Sequence, residues 1–178
     1  MWFFTGKGDS GNTNLFDGSK VTKDDPTIDL IGTIDEINAY IGLAISFIEQ
    51  AELKKDLRMI QITLSKVMGI IAGASESAVN DFDIGKSIKW LEDKIAFYGR
   101  ELDNPKNFTF PGKTTIGAAL DICRAVSRRM ERQAVGFCRE NPKINKTILA
   151  YMNRLSSLFY ILRLLVEKDV TKDVNTSS

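Results

Sequence analysis

The sequence predicts an all-α protein, an up-and-down bundle of five long helices. Apolar residues recur at three- and four-residue spacing through five long stretches, the period of a helix with one buried face. Short breaker segments of Pro, Asn, Asp and Gly separate those stretches. No strand pattern interrupts them, so few or no strands are expected. With 178 residues, 43% of them hydrophobic, the chain is a single domain spanning 1–178 with enough length to bury a sizeable core.

Residues 5–25 are rich in Gly, Asp, Asn, Ser and Thr and have little periodicity. They read as a loop, preceded at most by a short extended piece. Asp25-Pro26 is a helix start, with proline in the first turn. The first helix runs from about Thr27 to Ala51, with Leu30, Ile31, Ile34, Ile37, Ile41, Ala44, Ile45 and Ile48 on its apolar face. A second, from about Glu52 to Glu76, carries Leu53, Leu57, Ile60, Leu64, Val67, Ile71 and Ala74. Their gaps alternate between four and three, a heptad stripe suited to long antiparallel packing. The third helix, from about Gly85 to Leu102, presents Ile88, Leu91, Ile95 and Tyr98 and is stopped by Asp103-Asn104-Pro105. After the loop Phe108-Thr109-Phe110-Pro111-Gly112 comes a fourth, from about Thr114 to Glu140, broken by Asn141-Pro142. The fifth, from about Lys143 to Lys168, buries Ile148, Tyr151, Leu155, Leu158, Phe159, Leu162 and Leu165. The tail 170–178 is polar and reads as disordered.

Composition removes several classes of function. Lys and Arg (24) nearly balance Asp and Glu (23), which argues against a sequence-independent nucleic-acid binder. No uninterrupted apolar run reaches the length of a membrane span, and Met1-Trp2-Phe3-Phe4 lacks the basic region of a signal peptide. Cys123 and Cys138 fall on one helix without paired metal spacing, so they read as reduced core thiols of a cytoplasmic protein. No side chain is assigned as a metal ligand. The chain has no histidine, which excludes Ser-His and Cys-His dyads, imidazole metal ligation and the Glu-x-x-His pairs of di-iron bundles. An enzyme built this way needs little proton transfer, or uses carboxylates, lysine or the substrate itself.

The most informative stretch is Asp121 to Arg132. On a helix, Arg124, Arg128 and Arg132 fall at i, i+4 and i+8 on one face. Like charges on successive turns repel one another, so stability alone seldom selects them. Forked guanidiniums at that spacing suit a polyanion such as a triphosphate, or a set of partner carboxylates. The alternative is a solvated basic stripe with neighbouring Glu and Asp as counter-ions, with Glu131 pairing to Arg128.

Gly6-Lys7-Gly8-Asp9-Ser10-Gly11 matches G-x-G-x-x-G literally, but a dinucleotide fingerprint needs a preceding strand and a following helix in a βαβ unit. Neither is expected here, and no Walker A motif is present. Glycines that admit positive φ can still let successive N–H groups form an anion nest. Lys7, Ser10, Thr13 and Lys23 add donors or charge nearby, Asp9 can hold the turn, and a plain flexible N-terminus is the alternative.

Together these segments resemble the PduO-type ATP:cob(I)alamin adenosyltransferase family. The likeness runs through residues 5–13, Lys23-Asp24-Asp25-Pro26, Gly32-Thr33-Ile34-Asp35-Glu36-Ile37-Asn38, Phe108-Thr109-Phe110-Pro111-Gly112, the arginine helix and Asn153-Arg154-Leu155-Ser156. Six motifs in the right order span most of the chain. The resemblance implies a homotrimer of five-helix bundles with active sites between subunits. It implies transfer of the 5′-deoxyadenosyl group of ATP to reduced cobalamin, giving adenosylcobalamin and triphosphate, with Mg²⁺ accompanying ATP. Residues 1–26 would form the nucleotide loop, with Thr5, Gly6, Lys7, Gly8, Thr13, Asn14 and Lys23 at the nucleotide. Arg128, Glu131, Arg132 and Asn153 carry over to the same site, with Arg129 beside them. Asp35 and Arg124 map to an ion pair across the subunit interface, and Phe108 to an aromatic residue facing the lower side of the corrin ring. One position departs: Gly6-Lys7 places the lysine one residue later than the family loop does. The Lys7 backbone can bind phosphate whatever its side chain does.

The absence of histidine fits this chemistry. Cob(I)alamin is itself a strong nucleophile, so attack at the ribose C5′ needs no protein base. Triphosphate can leave unprotonated if lysine, arginine and Mg²⁺ neutralise its charge. Arg128 and Arg132 are the expected catalytic contacts, and Phe108 would keep water and a nitrogen ligand off the lower cobalt face. A flavoprotein reductant is among the partners this chemistry allows; nucleic acid and membrane are not expected. Two other classes remain open: a non-catalytic helical module that binds or carries nucleotide or corrin, and a structural bundle whose arginines pair with another protein.

Overall fold

The computed structural model describes residues 6, 8–75, 82–100, 102, 109–142 and 147–168. Five helices follow one another: α1 (Pro26–Phe47), α2 (Ala51–Ile71), α3 (Ile84–Gly99), α4 (Thr115–Glu140) and α5 (Thr147–Val166). Ahead of them, β1 (Asn12–Asn14) and β2 (Lys20–Thr22) form an antiparallel hairpin pairing Asn12 with Thr22, Thr13 with Val21 and Asn14 with Lys20. This hairpin corrects the expectation of a plain loop over residues 5–25. Three-residue strands are too short for alternation to register; the available signal is Asp17-Gly18 at the turn, with Gly18 at φ 86.

Local chemistry fixes the helix ends. The Asp25 carboxylate accepts from the Thr27 N–H at 2.7 Å and Pro26 opens α1. Asp83 caps α3 by accepting from the Gly85 N–H at 2.9 Å, and Thr114 caps α4 by accepting from the Gly117 N–H at 2.9 Å. α1 stops short of Ala51 because Ile48 is extended. α2 ends at Ile71 rather than Glu76 because Gly73 takes φ 83, the left-handed turn that closes many helices. Asn141 ends α4 as expected. The expected stop of the third helix at Asp103-Asn104-Pro105, the start of the fifth at Lys143 and the tail 170–178 lie outside the described residues.

Cross-contacts give the directions. Lys66 of α2 lies over the ring of Phe82, just ahead of α3, while Asp56 of α2 meets Tyr98 near the far end of α3, so these helices are antiparallel. Glu131 meets Asn153 and Asp121 meets Arg163, so α4 and α5 are antiparallel. Glu92 meets Arg154 and Gly99 approaches Ile161, so α3 and α5 are parallel. The bundle runs up-down-up-down-up. α1 packs between α2 and α4, and α5 between α4 and α3. Asp56, accepting from the Tyr98 hydroxyl at 2.7 Å and paired with Lys94 at 2.7 Å, closes α2 onto α3.

The core holds the predicted stripes of α1 and α2, including Leu30, Ile34, Ile37, Ile41, Leu57, Ile60, Leu64 and Val67. α5 contributes Ile148, Tyr151, Leu155, Leu158, Phe159 and Leu162, with Leu165 only partly covered. α3 lies at the edge: Ile84 and Leu91 are buried, whereas Ile88, Ile95 and Tyr98 are partly buried. By length and mean hydropathy α1 and α5 are each long and apolar enough to cross a membrane. Here each turns its apolar stripe onto neighbouring helices.

Candidate active site

The Thr114 cap sets the phase of α4. Leu120, Cys123, Ser127, Met130, Ala134 and Phe137 face inward, leaving Arg124, Arg128 and Arg132 along the flank at steps of about 6 Å. Their environments differ. Arg124 Nε donates to Asp121 Oδ1 at 2.7 Å. Arg129 pairs with Glu36 of α1. Arg132 Nη1 donates to the Arg128 carbonyl at 3.1 Å, and neither Arg128 nor Arg132 has a carboxylate partner among the described residues. Two exposed guanidiniums on adjacent turns thus stand without counter-ions, the arrangement expected of an anion site rather than of a neutralised surface stripe.

Glu131 does not serve as the counter-ion to Arg128. Its carboxylate accepts from Asn153 Nδ2 at 2.9 Å, and Asn153 Oδ1 accepts from Arg154 Nη1 at 3.0 Å. Arg154 Nε in turn donates to Glu92 at 3.1 Å. This chain of contacts ties α4, α5 and α3 together and orients Asn153 next to the arginine ladder.

At the N-terminus, Thr5 and Lys7 lie outside the described residues. Gly6 and Gly11 take φ 69 and φ 78. The Asp9 N–H donates to the Gly6 carbonyl and the Gly11 N–H to the Gly8 carbonyl, each at 3.2 Å, forming consecutive turns. A hairpin follows these turns, not a helix, which removes the dinucleotide-fingerprint reading. The Lys23 N–H donates to the Gly11 carbonyl at 2.8 Å. Its ammonium lies 3.0 Å from where a side chain on Gly8 would begin. The structure therefore gathers Gly6, Gly8, Thr13, Asn14 and Lys23 into one small unit.

That unit is tied to the C-terminal end of α2. The Phe16 N–H donates to the Ala72 carbonyl at 2.8 Å. The Asp17 carboxylate lies against Gly73, 3.0 Å from where its side chain would begin. The Ser19 hydroxyl, then its N–H, hold the Asp17 carboxyl below the usual carboxylate range. Because α1 packs between α2 and α4, the hairpin and the arginine ladder of one chain are separated by a helix.

Phe108 lies outside the described residues, but the loop that follows it is fixed by a feature the sequence reading missed. Arg163 of α5, 1% exposed, donates from Nη1 to Thr109 Oγ1 at 2.6 Å and from Nη2 to the Phe110 carbonyl. Its Nε lies 2.9 Å from Glu167 Oε2 and 3.3 Å from Asp121 Oδ2. The Nε–H is aimed at neither oxygen, so that attraction is coulombic. Asp121 is shared, one oxygen to Arg124 and the other to Arg163. The signal was present: Phe159, Arg163 and Glu167 repeat at i+4, so a cation and an anion continue the buried stripe of α5.

Asp35 is exposed on α1 and has no ion-pair partner among the described residues. Within one chain it does not meet Arg124. Both cysteines are buried and neither is in a disulfide, and burial pushes the Cys123 thiol up to about 12, so it stays protonated and inert at neutral pH. Among the described residues no three His, Cys, Asp or Glu side chains gather where they could hold a metal ion.

The family model for cobalamin adenosyltransferase matches residues 3–166. A corrinoid adenosyltransferase of Bacillus subtilis is 34% identical over 165 residues, covering 90% of this chain and 83% of its own. A cobalamin adenosyltransferase of Cupriavidus metallidurans is 32% identical over 160 residues, covering 89% and 84%. Among solved structures, a variant PduO-type ATP:corrinoid adenosyltransferase from Lactobacillus reuteri, complexed with cobalamin and ATP, superposes with a TM-score of 0.84. It is 30% identical, and the match covers 94% of both chains. A second variant of that protein, complexed with ATP, gives a TM-score of 0.81 at 32% identity over 90% and 91%.

Proposed function

This chain belongs to the cobalamin adenosyltransferase family, and on that premise we propose that it transfers the 5′-deoxyadenosyl group of ATP to cob(I)alamin. The cobalt–carbon bond forms at C5′ as the C5′–oxygen bond breaks, and triphosphate departs with the electron pair. The observation that carries this reading is the pair of exposed guanidiniums of Arg128 and Arg132, which meet no carboxylate among the described residues. They suit a leaving group whose negative charge grows in the transition state, and interactions that tighten as it grows lower the barrier.

The remaining roles follow from placement. Gly6, Gly8, Thr13, Asn14 and Lys23, with Thr5 and Lys7, bind the nucleotide through backbone N–H groups and the Lys23 ammonium. Asn153, oriented by Glu131, contacts the nucleotide beside Arg128 and Arg132. Arg129 stands beside them, paired with Glu36. Mg²⁺ neutralises triphosphate charge when bound; with no gathered acidic ligands among the described residues, it would be held mainly by phosphate oxygens and water. Phe108 excludes water from the lower cobalt face.

The chain acts as a homotrimer with sites between subunits. In support, α1 separates the hairpin from the arginine ladder of its own chain, so a complete site is most simply built from two chains. Asp35, exposed and without an ion-pair partner among the described residues, meets Arg124 of a neighbouring subunit. Buried thiols that form no disulfide accord with a reducing, cytoplasmic setting, where a flavoprotein is a suitable electron donor.

The test is anaerobic turnover of ATP with chemically generated cob(I)alamin, following the absorbance change to adenosylcobalamin and the release of triphosphate. Equal amounts of the two products are expected. Folded protein that binds ATP yet forms neither product overturns the reading in favour of a binding module.

A further inference from the structure

The cluster around Arg163 is costly as a purely structural device. It gathers two carboxylates and a guanidinium, all nearly water-free, at the end of a leucine-rich helix. Well-packed apolar side chains of similar volume usually hold such a site at least as well. What the charges add is direction. A guanidinium presents its donors in a planar fork, so once both Nη groups are engaged the acceptors they hold are fixed relative to one plane. Here the charges of Glu167 and Asp121 hold the Nε side without a hydrogen bond to it, and the two Nη groups donate to Thr109 Oγ1 and the Phe110 carbonyl. The gripped backbone begins one residue after Phe108. Asp121 also holds Arg124, so a continuous set of charged contacts runs from the arginine ladder to this loop.

We propose that Arg163 is a positioning residue for the corrin-side loop: its guanidinium, held in place by the charges of Asp121 and Glu167, fixes the backbone at Thr109 and Phe110 and thereby sets where Phe108 meets the corrin ring. This rests on the reading that Phe108 shields the lower cobalt face. That shielding matters most when cob(II)alamin must lose its lower ligand and be reduced, and least when cob(I)alamin is supplied ready-made. Loss of the anchor therefore has a signature that general destabilisation lacks: the cob(II)alamin reaction suffers and the cob(I)alamin reaction does not.

The test compares Arg163→Met, Arg163→Lys and Thr109→Val with the unaltered full chain. Thr109→Val removes one accepting hydroxyl at the loop and leaves the buried charges intact, so it folds even if Arg163→Met does not. Three readouts are taken: adenosylation from cob(I)alamin, adenosylation from cob(II)alamin with a limiting reductant, and amide exchange over residues 109–112. Each variant is expected to exchange faster there and to lose about 10- to 100-fold from cob(II)alamin, the scale of an ångström-level misplacement. The cob(I)alamin rate should stay within about threefold, since no catalytic contact has been removed. Lysine, which cannot fork, should rescue only in part. Unchanged exchange, or equal losses on both cobalamin states, overturns the proposal. An unaltered chain that is inactive with cob(I)alamin overturns the functional reading itself, and the role of Arg163 falls with it.

Discussion

Gly117→Ala is an informative substitution because two physical effects oppose one another there. Gly117 lies in the first turn of α4. On helix propensity alone alanine should stabilise it, by up to about 1 kcal/mol. The added carbon, however, would begin 2.3 Å from Glu167 Oε1, 2.8 Å from Glu167 Cδ and 2.8 Å from Thr114 Oγ1. Glu167 cannot simply swing away, because it is buried and 2.9 Å from the Arg163 Nε. Moving it by an ångström weakens a buried ion pair whose loss costs about 3–5 kcal/mol. It also strains the Thr114 cap, worth about 1 kcal/mol. Allowing for partial relaxation, the net expectation is a loss of about 2–4 kcal/mol. For a chain of this size that lowers the melting temperature by roughly 4–16 °C. Gly136→Ala is the matched control: it lies in the same helix with nothing within 4 Å of its added carbon, and should be neutral or stabilising by up to about 1 kcal/mol. Denaturant unfolding at fixed protein concentration reads both. A Gly117→Ala protein as stable as its Gly136→Ala counterpart would refute the reasoning.

Arg128→Ala and Arg132→Ala should each lower kcat by about 10²–10³. Neither has an ion-pair partner to lose among the described residues, so the unfolding midpoint should move by no more than the equivalent of about 0.5 kcal/mol; a matching loss of stability would return these residues to a structural role. Asp35→Asn should weaken trimer assembly and raise KM, read by sedimentation and steady-state kinetics; an intact trimer with ordinary kinetics would remove Asp35 from the interface. Burial raises the phenols of Tyr98 and Tyr151 above their ordinary value of 10.0, with the Asp56 carboxylate adding to the effect at Tyr98. A raised phenol favours the neutral folded form, so this stability is fully present below pH 10.0 and is lost as pH climbs through the folded values. Unfolding midpoints measured at rising alkaline pH should fall, and Tyr98→Phe should make the fall shallower.

The helices were legible because their signals are long and redundant. Sustained apolar spacing, the Asp25-Pro26 start and the breaker segments located them, and the differences lie at ends set by single residues, Ile48 for α1 and Gly73 for α2. The hairpin was hidden because Thr13 and Val21 are one pair in strands of three residues, below any detectable period. At the site, the arginine ladder could be read from its i+4 spacing, but which arginines are neutralised could not. Arg124 has Asp121 at i−3, while Arg128 has Glu131 at i+3 and does not use it, because Asn153 from another helix takes that carboxylate. Competition from across the bundle decides such cases, and sequence spacing carries no record of it. For Arg163, the i+4 spacing to Glu167 could have marked a buried ion pair, but its hold on Thr109, 54 residues away, leaves no trace in spacing.

The helix that stands between the nucleotide hairpin and the arginine ladder has a genetic consequence. If each working site borrows its two halves from different chains, a copy damaged in the hairpin and a copy damaged at Arg128 need not be equally useless together. Co-expressed in equal amounts, they would assemble mixed oligomers in which about one site in four receives two sound halves. Two alleles silent alone would then complement one another in a single cell.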